Sequence, residues 1–184
     1  MTLILGLVIF FGIHLLPSAP SLRQTLTGRL GLTGYKILFG VIAATGLICI
    51  VIGKGGAPFV TVWEPPPWGR TVNFFLMPIA FILFTAGYLP SNIKRFTRHP
   101  MLWGVVIWSV AHLLSNGDRT SMIIFISFAL YSLFDMVSAN RRGAVRSPNR
   151  HSKFRDLTVI LIGFACFVAV TFLHPALTGT GLIW

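Results

Sequence analysis

RHPMLWGVVIWSVAHLLSNGD, residues 98–118, is the stretch on which the reading of the fold turns. Between Pro100 and Leu114 it holds no Asp, Glu, Lys or Arg, and ~15–18 helical residues nearly cross a bilayer. Pro100 suits the first turn of a helix, where a missing N–H costs little. Asn116 and Gly117 suit the stop, and Asp118 is placed to cap the next helix with its carboxylate. Arg98 makes the entrance cationic, His99 sits at the mouth, and His112 lies deep inside. A histidine in hydrocarbon is costly without a partner, so His112 demands a reason.

The surrounding chain carries the same signature. Of 184 residues, 54% are hydrophobic and only 10% are charged, whereas a soluble domain carries about a quarter charged residues. This composition predicts an integral membrane protein, and the length suits one domain over residues 1–184. The net charge of +11 would suggest nucleic acid if the basic residues shared one soluble face. They lie instead in short connectors between apolar runs, where they set topology and meet lipid headgroups, so no nucleic-acid partner is expected. Cys49 and Cys166 both fall inside apolar runs and read as buried thiols rather than a disulfide framework.

Apolar runs over residues 2–16, 35–53, 72–89, 100–114, 120–138 and 157–173 predict an all-α, polytopic bundle of about six transmembrane helices. No basic segment precedes the first run, which is therefore read as a retained helix and not a signal peptide. Residues 18–34 read as a connector, Pro78 as a kink, and Gly40, Ala43 and Ala44 as a small-residue face for close helix approach. Twelve of the fifteen Lys and Arg residues fall in or next to the connectors after the first, third and fifth runs, counting Lys36 just beyond the first connector. That asymmetry puts these three connectors in the cytoplasm and both termini on the outer, periplasmic side of a bacterial inner membrane.

Histidine is the chemistry-bearing residue. His151 lies in a basic connector and reads as an ordinary surface residue, while His14, His99, His112 and His174 fall at the ends of or within apolar runs. The topology layers them, His14 with His99 towards the inner surface and His112 with His174 towards the outer. His99 and His112 are thirteen residues apart, or ~20 Å along a helix, and face largely different directions. Ser109 is expected to hydrogen-bond His112 and fix its tautomer. Asp135 is expected to pair with Arg98 or Arg142. Hard cations want oxygen ligands and structural zinc wants thiolates, so imidazole in an apolar, aromatic-rich setting suits haem iron best. Arg23, Arg95 and Arg98 are candidates for pairing with propionates.

HLLPSAPSLR at residues 14–23, TRHPMLWGVVIWSVAHLLSNGD at 97–118 and LHPALTG at 173–179 together resemble the NnrU family of small bacterial membrane proteins. The resemblance covers nearly the whole chain and implies a link to denitrification or nitric oxide metabolism. It also implies kinship with 15-cis-zeta-carotene isomerase, a haem b protein that isomerises a carotenoid double bond. Carried across motif by motif, the haem ligands implied are His14 and His112, with Arg98 and His99 as further cofactor-binding residues and His174 as an alternative iron ligand. That relative has a cysteine three residues before its second ligand, where this chain has Ser109. The implied partners are the lipid bilayer and a small apolar or gaseous ligand.

Two other classes compete. Arg98-His99-Pro100-Met101 with Gly104 also resembles S-adenosylmethionine-dependent methyltransferases of the isoprenylcysteine and phospholipid type. Those enzymes bring an acidic pair to the cofactor, whereas Glu64, the only glutamate here, falls in a connector expected on the opposite side. A non-enzymatic assembly factor is the third class, and it would leave no sequence mark.

Overall fold

Gly6, Gly46 and Gly53 let the first two helices meet backbone to backbone. In the computed structural model, which describes residues 1–178, all regular elements among the described residues are helices. The first are α1 (Thr2–Leu15) and α2 (Pro20–Gly55), joined by a tight turn at Leu16–Ser18. A Cβ on Gly6 would stand 2.6 Å from the Ile50 nitrogen, and one on Gly46 would stand 2.7 Å from the Phe10 nitrogen. A Cβ on Gly53 would run into the Leu3 backbone. Such close approach is how helices hold together where lipid is as apolar as leucine. Gly40, by contrast, meets nothing within 4 Å and is exposed, as is Ala44. The small-residue face therefore lies one to two turns further along α2 than the sequence suggested.

Residues 18–34 also differ from expectation, because most of that connector is helical. Pro20 presets the first turn of α2, and Thr25 and Thr27 bond back to the carbonyls of Ser21 and Arg23. Gly31 then breaks the helix at φ 69°, ψ 167°, a left-handed φ that glycine adopts without a Cβ clash. Met1–Pro58 forms one unit by itself.

The second unit begins at Phe59. It contains α3 (Gly69–Tyr88), the short α4 (Ile93–Phe96), α5 (Pro100–Leu113), α6 (Arg119–Arg141) and α7 (Lys153–Thr178). Helix α3 packs against both α5 and α7, and α5 packs against α6. Small residues again set the spacing: Cβ atoms at Gly87 and Gly163 would come within 2.7 Å of the Met101 Cβ and the Ile82 Cα. Pro78 is accommodated inside a continuous α3.

The ends of α5 and α6 follow the expected punctuation. Pro100 occupies the first turn of α5, and the Asp118 carboxylate accepts from the Ser121 N–H at 3.0 Å to cap α6. The segment before α3 is fastened over this corner, with the Val62 and Trp63 N–H groups donating to the Gly117 carbonyl and Arg119 N–H to that of Val60. Gly117 is needed there, since a Cβ would collide with the Trp63 carbonyl. At the other end, Asn92 clamps the basic loop. Its backbone and side-chain N–H groups donate to the two Asp156 oxygens, each at 2.7 Å, and its amide oxygen accepts from His151 N–H at 3.0 Å.

Four helices, Pro20–Gly55, Gly69–Tyr88, Arg119–Arg141 and Lys153–Ala176, are long and apolar enough to cross a membrane. Two shorter apolar segments, Thr2–Ser18 and Pro100–Leu113, accompany them.

Candidate functional site

His112 occupies the last turn of α5 and its ring is packed among aromatics. The ring centroid lies 4.6 Å from that of Phe125 and 5.0 Å from that of Trp108. Trp108 in turn makes edge contacts with Phe125 at 4.9 Å and Phe128 at 5.4 Å. These rings come from α5 and α6, whose packing brings residues on two helix faces together.

The polar contact of the His112 ring is short and local. Nδ1 lies 2.9 Å from the Trp108 carbonyl oxygen, one helical turn back. A carbonyl only accepts, so Nδ1 carries the proton and Nε2 of the neutral ring is the bare nitrogen. Among the described residues Nε2 has no hydrogen-bond partner. Such a nitrogen can accept a proton, accept a hydrogen bond or coordinate a metal.

Ser109 does not take the role expected of it. It is 0% exposed, and its hydroxyl finds no partner among the described residues. The Trp108 carbonyl lies in line with the imidazole one turn back and takes the Nδ1 proton, while Ser109 lies further round the helix.

His14, in the Met1–Pro58 unit, is held in the same way. Its Nδ1 donates to the Phe10 carbonyl at 2.7 Å, with the ring stacked on Phe10 at 4.1 Å and edge-on to Phe39 at 5.0 Å. Both histidines thus follow an aromatic residue by four positions, in FFGIH and in WSVAH. The residues four before His99, His151 and His174 are Arg95, Ser147 and Val170, so the pattern singles out two histidines of five. This spacing is legible in the sequence. Phe125 and Phe128 left no comparable mark, because only helix packing brings Phe125 to His112 and Phe128 to Trp108.

The remaining candidates gather elsewhere. His99 takes the N-cap position of α5, and its Nε2 and the Arg98 guanidinium both contact the Asn140 side-chain oxygen, at 3.0 and 3.1 Å. That cluster and His112 lie at opposite ends of α5, ~20 Å apart by helical rise. His174 lies on α7. The Gly179 end of its LHPALTG motif lies outside the described residues. Asp135 pairs with Arg142 at 3.3 Å, as one of the two expected arrangements required. Among the described residues no three His, Cys, Asp or Glu side chains converge as a metal-ion cluster.

The donor chemistry at His112 fits haem iron. An imidazole with Nδ1 tied to a carbonyl and Nε2 bare is the usual form of a histidine metal ligand, and aromatic walls suit a macrocycle.

An all-helical membrane protein carrying histidines locked by their own helix carbonyls is the class that fold and site define. The chain belongs to the NnrU family, matching the family model described as "NnrU protein" over residues 2–181. Among curated proteins it is similar to the chloroplastic 15-cis-zeta-carotene isomerase of Arabidopsis thaliana, 26% identical over 102 residues, which is 51% of this chain and 28% of that protein. It is also similar to the chloroplastic 15-cis-zeta-carotene isomerase of Zea mays, 31% identical over 77 residues, 38% of this chain and 21% of that protein. The matched stretches thus span about a quarter of these relatives' lengths. No solved structure matches.

Proposed function

We propose that this NnrU protein is a membrane-embedded haem b protein that isomerises double bonds in an apolar polyene. The observation that carries the reading is the His112 imidazole, fixed by the Trp108 carbonyl so that Nε2 is bare beside Trp108 and Phe125. The isomerase relatives supply the reaction type.

In this reading His112 would hold the haem iron through Nε2, and His14, which the family resemblance also names as a ligand, carries the same carbonyl-locked Nδ1 within the Met1–Pro58 unit. Bound haem b supplies redox and Lewis-acid chemistry to a ligand held beside it. Trp108, Phe125 and Phe128 exclude water and offer an apolar wall. Arg98 and His99, ~20 Å from His112 along α5, would serve the phosphate of a lipid at their end of the helix. His174 is the alternative ligand that the family resemblance implies.

The same proposal includes the topology. All six apolar helices cross a bacterial inner membrane with both termini outside, and residues 1–184 act as one functional domain. Charge supports it, with twelve of fifteen Lys and Arg residues in or next to alternate connectors, Lys36 included. Helices α1 and α5, each of 14 residues, are ~20 Å long and cross with local thinning of the bilayer.

Purification in mild detergent after expression with ample haem, followed by a visible spectrum and a pyridine haemochrome assay, tests the reading. One haem b per chain is expected. A haem-free protein under those conditions rules the haem reading out. A nitric oxide-induced spectral shift with no polyene turnover would move the ligand from polyene to diatomic gas, the direction in which the family's link to nitric oxide metabolism points.

A further inference from the structure

We infer that the cleft lined by Pro17, Arg23, Tyr35, Lys36 and Phe39 binds the headgroup of an acidic phospholipid. The cleft measures about 330 Å³ and belongs wholly to the Met1–Pro58 unit. Two of its five walls are cations, and neither makes an ion pair among the described residues. The first 58 residues contain no Asp or Glu at all, so nothing within that unit can neutralise them. Both side chains are exposed where they line the cleft, within reach of an anion arriving from outside.

Tyr35 is the second, independent indication. The residue is only 7% exposed and lines the same cleft, and its hydroxyl, which is not sealed from solvent, has no hydrogen-bond partner among the described residues. A phenol opening on a cleft can donate to an acceptor bound there. A phosphate oxygen between Arg23 and Lys36 supplies an acceptor for it and a counter-charge for both cations. Pro17 and Phe39 give the remaining wall an apolar character, which suits the glycerol and acyl portion of a lipid. Inorganic phosphate would satisfy the cations and the phenol but would leave that wall uncovered.

This assignment is independent of haem. The test uses the whole chain, purified in mild detergent and incubated with phosphatidylcholine vesicles containing a minority of phosphatidylglycerol, with retained lipid read by native mass spectrometry. The expected result is preferential retention of phosphatidylglycerol. The double variant R23Q/K36Q lowers that retention by about tenfold or more, since each basic side chain contributes roughly 1 kcal/mol towards an acidic lipid. Y35F lowers it by a smaller factor, and R29Q, outside the cleft, leaves it unchanged. Retention equal to wild type in both R23Q/K36Q and Y35F overturns the assignment, as does displacement of the lipid by millimolar inorganic phosphate. Loss of lipid on haem loading also overturns it, since the cleft would then belong to a cofactor carboxylate. Should the double variant melt early, Y35F, which keeps the ring and its packing, decides alone.

Discussion

His14 and His112 are held by one device used twice: each Nδ1 donates to the carbonyl of the aromatic residue four positions earlier, at 2.7 and 2.9 Å. The helix itself thereby chooses the tautomer, with no second side chain needed. Nitrogen-15 NMR of histidine-labelled protein in micelles, without cofactor, should give the Nδ1–H tautomer for both residues. An Nε2–H signal from either would contradict the arrangement.

The glycine contacts of α1 and α2 predict where added volume is tolerated. A side chain at Gly46 meets the Phe10 backbone, and overpacking of this kind costs about 1–3 kcal/mol. Gly40 faces open space, so Gly40→Ala should be neutral or stabilising by up to ~1 kcal/mol. Thermal melting in detergent separates the two: Gly46→Val should melt well below wild type and Gly40→Ala at or above it.

Ser109 has a buried hydroxyl without a partner among the described residues. Removing such a group relieves a desolvation penalty of about 1–3 kcal/mol, less a small loss of packing. Ser109→Ala should therefore raise the melting temperature while leaving haem content unchanged. A fall in haem content would show that the hydroxyl serves the cofactor.

Asn92 joins the corner after α3 to the start of α7 through Asp156 and His151. Asn92→Ala should release the intervening basic loop, and limited proteolysis near residues 143–150 should accelerate. Cleavage at the wild-type rate would mean that other contacts hold the loop. At the opposite end, Asp118→Ala removes the α6 cap and should cost about 1 kcal/mol.

Apolar runs were enough to locate most of the helices. Pro100 and Asp118 marked the boundaries around α5 because capping chemistry is local and short-ranged. The connector at residues 18–34 misled, since Arg23 and Arg29 read as loop charges although Pro20 starts a helix there and Gly31 alone interrupts it. The small-residue face was misplaced for a related reason: Gly46 and Gly53 are chosen by what α1 places opposite them. At the site, His14 and His112 were legible as intramembrane imidazoles. The Phe125 and Phe128 contribution was not, because it exists only once α6 lies against α5.

Haem content per chain across a histidine series tests the central claim most directly. Purified His112→Ala, His14→Ala, His174→Ala and His99→Gln proteins are compared with wild type by pyridine haemochrome, with melting curves confirming that each is folded. His112→Ala should carry less than about a tenth of the wild-type haem and His99→Gln the wild-type amount, with loss in His14→Ala the outcome that the family resemblance implies. Depletion in His174→Ala instead of His14→Ala would transfer the second ligand to α7. A folded His112→Ala protein that still binds haem as wild type would contradict the account.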